Sequence, residues 1–347
     1  MAPSNKNQPD PGDAHDAEAA RRRTDARIAD LISMIKQSAD HLAADQTSRG
    51  DLKILSRALR ELRYAFKVFS PFRTRRKVTV FGSARTQSDA AAYVQAVEFG
   101  KTMAARDWLV VTGAASGIME AGHRGAGRSH SMGLNIMLPF EQSANEVIAG
   151  DPKLVNMKYF FTRKLMFVKE CHAVVCFPGG FGTLDEALEV LTLLQTGKRE
   201  LVPLVLLAPP GNRYWAAFHE FVEQQLLQQG MISPDDFSLY KVMDDVPAAV
   251  REITSFYHVF DSMRYVRDRL VFRLRHAPSP AQLEQINDRF KGILVSGQFT
   301  ASSPLPAESD QPELEHLPRL VFHFNRRDHG RLRLLVDYLN ANCLPAA

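Results

Sequence analysis

The sequence predicts an α/β protein: a Rossmann-like, doubly wound and mostly parallel sheet flanked by an N-terminal helical extension and a C-terminal α+β extension. Two observations predict the sheet. Between residues 76 and 255, short β-branched runs closed by glycine or proline alternate with helix-length segments. The runs are apolar throughout rather than at every second residue, as strands covered on both faces must be. A third observation sets the limits: the alternation is absent before residue 76 and fails after 255.

Residues 1–26 are polar, without the apolar segment of a secretory signal, and read as a disordered lead-in. Ile28, Leu31, Ile32 and Ile35, then Ile54, Leu55, Leu59 and Leu62, recur at intervals of three and four with charges between them, predicting helix over 27–70 within an extension spanning 27–75. After the basic segment Arg73–Lys77 the period changes. VTVFG (78–82) predicts a strand, 89–106 a helix, WLVVTG (108–113) a second strand, and a helix opens near 117. LNIMLP (134–139), a helix near 159–170, AVVCFPGG (173–180), a helix after Thr183, LVPLVLL (201–207) and a helix near 214–229 continue the pattern. In the C-terminal extension, 256–347, helices are predicted near 261–275 and 280–291. A Pro/Ser/Glu-bearing stretch (303–318) follows, and RLVFHF with RLRLLVDYLN reads as strand then helix.

Composition removes several function classes. Apolar residues make up 45% of the 347 and charged residues 24%, and no apolar run approaches the roughly 20 residues needed to cross a bilayer. A cytoplasmic protein with no membrane partner is expected. The net charge of +4 is modest and its arginine-rich pieces are dispersed among acidic residues, so no nucleic-acid partner is expected. Cys171, Cys176 and Cys343 have no metal-ligand spacing, and neither a metal nor a cofactor is expected.

Three loops at the predicted carboxyl ends of strands carry the candidate chemistry. The 110-VVTGAASGIM-119 stretch resembles a dehydrogenase cofactor loop, but Met119 stands where a third glycine is wanted and no tyrosine is followed four residues later by lysine; Tyr159 is followed by Arg163. What survives is that Gly113 and Gly117 permit close approach of a ligand to a helix N-terminus. The 82-GSAR-85 loop adds Ser83 and the planar fork of Arg85. Parallel strands would bring these loops to one crevice.

The third loop is 178-PGGFGTLDE-186. Thr183 and Glu186, three apart, form a capping-box pattern, which would make Glu186 structural. The glycines at 179, 180 and 182 nevertheless exceed what a turn needs and would expose N–H groups to a monophosphate at the positive end of a helix dipole. Glu186 and Glu189 lie about a turn beyond, where a sugar held by its phosphate would meet a carboxylate able to stabilise positive charge at the anomeric carbon.

Pro178-Gly179-Gly180-Phe181-Gly182-Thr183-Leu184-Asp185-Glu186 resembles the PGGxGTxxE signature of the LOG ("lonely guy") phosphoribohydrolases, long labelled possible lysine decarboxylases. The 162-TRK-164 triplet is similar to the family's arginine-lysine pair, and GSAR, TGAASGIMEA and EVLTLLQTGK fall in the expected order over residues 76–230. The resemblance implies a Rossmann-like homodimer, or higher homo-oligomer, that hydrolyses the N-glycosidic bond of nucleoside 5′-monophosphates to free base and ribose 5-phosphate, as in purine salvage. It places Arg163 and Glu186 at the catalytic positions and Gly179, Gly180, Gly182 and Thr183 in the phosphate loop, with Lys164 and Glu189 beside them. AMP-like substrates are expected. A narrower alternative is activation of cytokinin nucleotides, with Met119, Met157 and Tyr159–Phe161 lining an apolar pocket; another is a non-catalytic nucleotide sensor. About 75 residues before the core and 90 after it, and Ala114, Ala115 and Ser116 in a loop usually richer in glycine, depart from the compact members.

Overall fold

The protein is described by a computed structural model covering residues 11–137 and 143–344. It divides into two units, residues 1–60 and 61–347. The first holds helix α1 (Pro11–Ala44) and the start of helix α2 (Arg49–Phe69). A break at 45–48 separates them, with Gln46 in the left-handed region at φ 55°. Ser48 caps α2: its Oγ accepts the N–H of Asp51 at 3.1 Å and donates to the Asp51 carboxylate at 2.7 Å. The lead-in assigned to 1–26 is corrected in part, because α1 begins at Pro11, a residue suited to a first turn whose N–H has no helical acceptor. Residues 1–10 lie outside the described residues.

The second unit is built on seven parallel strands: β1 (Lys77–Phe81), β2 (Leu109–Thr112), β3 (Ser131–Ile136), β4 (Leu154–Met157), β5 (Ala173–Cys176), β6 (Leu204–Leu207) and β7 (Lys241–Met243), in the order β4-β3-β2-β1-β5-β6-β7. Helices α3 (Ala91–Ala104), α4 (Ile118–His130), α5 (Phe160–Glu170), α6 (Phe181–Gln195), α7 (Tyr214–Phe221) and α8 (Val246–Ser255) connect and flank them. The chain steps one way from β1 to β3 and the other way from β5 to β7, so right-handed crossovers put α3 and α4 on one face and α6 and α7 on the other. The central strands β1, β2 and β5 are buried at every residue, which is why they read as largely apolar runs without an alternating polar face. Helices α3 and α4 meet backbone to backbone: a Cβ at Gly125 would sit 1.9 Å from Val97 O and one at Gly100 2.3 Å from Gly122 O.

Beyond the sheet the sequence reading needs correction. Residues 261–275 are not helical; β8 (Phe260–Val266) and β9 (Arg269–Leu274) form an antiparallel hairpin, with Arg267 at φ 56° in its turn. With β10 (Leu294–Ser302) and β11 (Arg319–Phe324) they make a second sheet, ordered β10-β11-β9-β8, flanked by α9 (Pro280–Phe290) and α10 (His329–Asn342). In the fold, Arg273 and Arg319 are buried and share Glu308, each with Nε donating to one of its oxygens at 2.9 Å. Two smaller corrections concern strand and helix ends. Pro203, which has no N–H for the ladder, delays β6 to Leu204, and α7 passes into π geometry over Val222–Leu227. Of LNIMLP, residues 138 and 139 lie outside the described residues.

The C-terminal sheet shares the hydrophobic core of the parallel sheet, with Phe260, Phe272 and Phe322 in the same cluster as Val78 and Val175. Tyr257 Oη donates to His172 O (2.6 Å) and Ser238 Oγ to Gly330 O (2.7 Å), tying the two parts together. Among the described residues, no helix is long and apolar enough to cross a membrane.

Candidate active site

The strand order reverses between β1 and β5, the place where open parallel sheets leave a crevice at their carboxyl ends. A cavity of about 870 Å³ opens there, lined among others by Ser83, Arg85, Gly113, Arg163, Gly179–Glu186 and Tyr214. The three loops singled out in the sequence therefore converge, and they lock into one another. Ser83 N–H donates to Pro178 O (3.2 Å), Ile118 N–H to Ser83 O (3.0 Å), and Ser116 Oγ to Ala84 O (2.9 Å). Arg85 stands exposed at the rim, its N–H on Ser83 Oγ at 3.1 Å.

Gly117 does not line the crevice, contrary to its assignment as a ligand contact. Its φ is +64°, and a Cβ there would lie 2.3 Å from Ser83 O, so the room that glycine leaves is filled by the first loop. The N–H of Ile118, at the start of α4, is already spent on Ser83 O.

Helix α6 starts at Phe181 with Gly180 as its N-cap and no side-chain cap, so Thr183 lies inside the first turn and the Thr183–Glu186 capping box does not form. Among the described residues, the N–H groups of Gly180, Phe181 and Gly182 donate to no protein acceptor. They sit at the positive end of a 15-residue helix. A Cβ at Gly180 or Gly182 would touch nothing within 4 Å, whereas one at Gly179 would lie 2.2 Å from Thr183 Oγ1. Tyr214, which no local signal in the sequence marked, reaches from α7 and donates its Oη to Gly179 O at 2.6 Å.

Arg163 is placed by α5, whose start is anchored from a distance. The buried carboxylate of Glu61 accepts from Lys158 N–H and Thr162 Oγ1, both at 2.8 Å. The Arg163 guanidinium carbon lies 5.1 Å from the Phe160 ring centroid and 5.5 Å from that of Phe167. Its Nε is buried without a hydrogen-bond partner. Burial lowers its pKa, against the pull of Glu186.

Glu186 is 5% exposed, and its Oε2 has no hydrogen-bond partner. Lys164 Nζ forms an ion pair with that oxygen at 3.3 Å and lies 2.8 Å from both Asp185 Oδ2 and Glu189 Oε2, hydrogen-bonding the latter. Burial raises the Glu186 pKa above the ordinary glutamate value; Lys164 and Arg163 oppose the rise and Glu189 adds to it. For Lys164 burial works against the charge, but the bonds to Asp185 and Glu189 and the charge of Glu186 outweigh it, and its pKa goes up. Lys164 and Glu189 thus stand behind Glu186 rather than on the crevice wall, while Asp185, left out of the sequence reading, lines it. Met119, Phe160 and Phe167 line the crevice. Met157 is buried in β4, and Tyr159 and Phe161 stack on each other with centroids 5.2 Å apart. Among the described residues, no group of three or more His, Cys, Asp or Glu side chains is placed to hold a metal ion.

Residues 112–253 match the family described as "Possible lysine decarboxylase". The chain is 31% identical over 194 residues to a probable cytokinin riboside 5′-monophosphate phosphoribohydrolase of Oryza sativa subsp. japonica, covering 52% of this chain and 78% of that one. It is 31% identical over 166 residues to a cytokinin riboside 5′-monophosphate phosphoribohydrolase of Arabidopsis thaliana, covering 46% of this chain and 73% of that one. It is also 30% identical over 144 residues to a pyrimidine/purine nucleotide 5′-monophosphate nucleosidase of Escherichia coli (strain K12), covering 39% of this chain and 32% of that one. The chain thus spans about a third of the length of the Escherichia coli relative. It belongs to the LOG, or possible lysine decarboxylase, family.

Proposed function

We propose that the crevice hydrolyses the N-glycosidic bond of nucleoside 5′-monophosphates, AMP-like purine nucleotides foremost, adding water across the bond to release free base and ribose 5-phosphate. One observation carries the reading. A buried carboxylate with an oxygen lacking a hydrogen-bond partner lies about one helical turn beyond open N–H groups at the start of α6. The N–H groups of Gly180, Phe181 and Gly182, with Thr183, would hold the phosphate, and Ser83 and Arg85 would close over it from the first loop. A nucleotide anchored there would extend its ribose toward Glu186. The carboxylate would stabilise the oxocarbenium-like charge at the anomeric carbon and take a proton from the attacking water. A raised pKa makes Glu186 a stronger base than an exposed carboxylate, and Lys164 keeps enough positive charge nearby for it to ionise. Arg163, with a donor unspent, would orient the ribose.

The apolar wall of Met119, Phe160 and Phe167 favours one narrower reading, a cytokinin nucleotide with an apolar substituent on the base. The proposal carries with it a cytoplasmic homodimer, or higher homo-oligomer, acting in purine salvage. Self-association is supported by Phe161, Leu165, Phe181 and Leu188, exposed along α5 and α6, and light scattering on the purified chain tests it.

The decisive assay incubates the full chain with AMP, GMP, CMP, IMP and isopentenyladenosine monophosphate and follows free base by chromatography, with Glu186→Gln in parallel. Base release by wild type and none by the folded variant supports the reading, and the accepted nucleotides distinguish the broad substrate class from the narrow one. Binding without release by either protein would sink it in favour of a sensor.

A further inference from the structure

The loop Gly113–Gly117 contains a left-handed residue that is not glycine: Ala114 has φ 61°, a conformation L-residues rarely adopt. A buried polar network holds it there. Ala114 N–H donates to Thr112 Oγ1 at 2.9 Å. Asn145 takes both neighbouring carbonyls, its backbone N–H donating to Ala114 O at 2.8 Å and its Nδ2 to Ala115 O at 3.1 Å. Behind them sits His123, 0% exposed, with Nε2 3.0 Å from Met132 O and 3.1 Å from Thr112 Oγ1, and Nδ1 3.2 Å from Asn145 Nδ2.

The hydrogen bonds define one arrangement of protons. Met132 O can only accept, so Nε2 carries the proton and Nδ1 offers its lone pair. The Asn145 amide must then face His123 with Nδ2, the same nitrogen that reaches Ala115 O, and its orientation follows from the imidazole. Burial pushes the His123 pKa down to about 4, against the bond donated to Met132 O that pulls it up, so the ring is neutral at neutral pH as this arrangement requires.

The loop so held matters to the crevice through Gly113. A Cβ at that position would lie 2.7 Å from Met119 Sδ and 3.6 Å from Arg163 Nη1, so a small shift of the loop closes or opens the room beside both side chains. We propose that His123 and Asn145 are positioning residues for the crevice: by holding the Ala114 and Ala115 carbonyls they fix the second loop, and with it the fit of the nucleotide beside Arg163. The inference rests on the reading of the crevice as a nucleoside monophosphate site. Neither residue touches the substrate in this scheme.

The test compares three variants of the full chain, His123→Leu, His123→Gln and Asn145→Ala, measuring thermal midpoint, KM and kcat for AMP, and AMP affinity by calorimetry. Leucine fills similar volume with neither hydrogen bond, whereas glutamine offers a carbonyl to Asn145 and an N–H to Met132 O. KM and Kd are expected to rise about tenfold or more in His123→Leu and Asn145→Ala with kcat within about threefold, and His123→Gln is expected to recover most of the loss. A purely structural network would lower the thermal midpoint and leave KM and Kd of the folded protein unchanged, and that result overturns the inference. If the histidine variants do not fold, Asn145→Ala, which keeps the backbone bond to Ala114 O, decides alone. Failure of the wild type itself to bind AMP or release base would instead overturn the reading of the crevice, and the inference with it.

Discussion

Two glycine loops that look alike in sequence do different work. In the second, Gly117 is demanded by the fold: its φ is positive and the backbone of Ser83 and Ala84 occupies the room a side chain would need. In the third, Gly182 is demanded by nothing in the chain; it lies in the first turn of α6, where a Cβ would meet open space and alanine would favour the helix. A glycine that leaves empty space at the mouth of a crevice, at some cost to helix stability, marks the position where a ligand must come close. The glycine that makes a loop lock shut and the glycine that keeps a site open are separable only by their three-dimensional neighbours.

The sharpest break of this comparison lies just beyond the open loop. Glu186→Gln is expected to lower kcat/KM for AMP by about a thousandfold while the variant still binds nucleotide, read by base release and calorimetry. The glycines themselves come next. Gly117→Ala should destabilise the chain by about 3 kcal/mol or more, visible as a large fall in thermal midpoint, because a strained φ is combined with a clash against backbone. Gly182→Ala should leave stability unchanged or raise it by about 0.5–1 kcal/mol, yet increase KM about tenfold by crowding the phosphate. Equal loss of stability in the two would abolish the distinction drawn between the loops.

Arg163→Lys should cost about tenfold in kcat/KM, since lysine keeps the charge and loses the planar fork over Phe160 and Phe167. The smallest effect concerns stability and pH. The folded-state pKa of Glu186 is raised, so its ionised form costs stability; that cost is absent below the unfolded-state value and appears as pH rises through the folded one. Glu186→Gln is therefore expected to melt above wild type at pH 7, the gap closing as pH falls below about 4, the unfolded-state glutamate value. Melting curves at the two pH values check the sign.

Much of the parallel domain was legible because its signals are local. VTVF and AVVC are mostly apolar and buried at every residue since both faces are covered, and the closing glycines mark where each strand turns. The hairpin at 260–274 was not legible. Its Arg273 reads as a surface residue unless one knows that Glu308, more than thirty residues away in the chain, pairs with it and with Arg319 of β11 inside the fold. The same holds within the site. Arg163, Glu186 and the loop 179–183 are contiguous motifs, whereas Tyr214, Asp185, Glu61 and the pair His123–Asn145 carry no local mark.

What the sequence by itself determined is the strand–helix alternation from β1 to α7, the short strand β4 apart, together with the residues offered at those strand ends and the family to which the chain belongs, because periodicity, turn chemistry and short motifs depend on near neighbours. Tertiary structure alone decided that Gly117 locks a loop while Gly182 leaves one open. It also decided that Glu186 keeps an oxygen without a hydrogen-bond partner instead of closing a capping box, and that Lys164 stands behind the crevice rather than in it. Each of these turns on burial and on partners distant in the chain, since both the cost of a buried charge and the room for a Cβ are set by whatever the fold brings alongside.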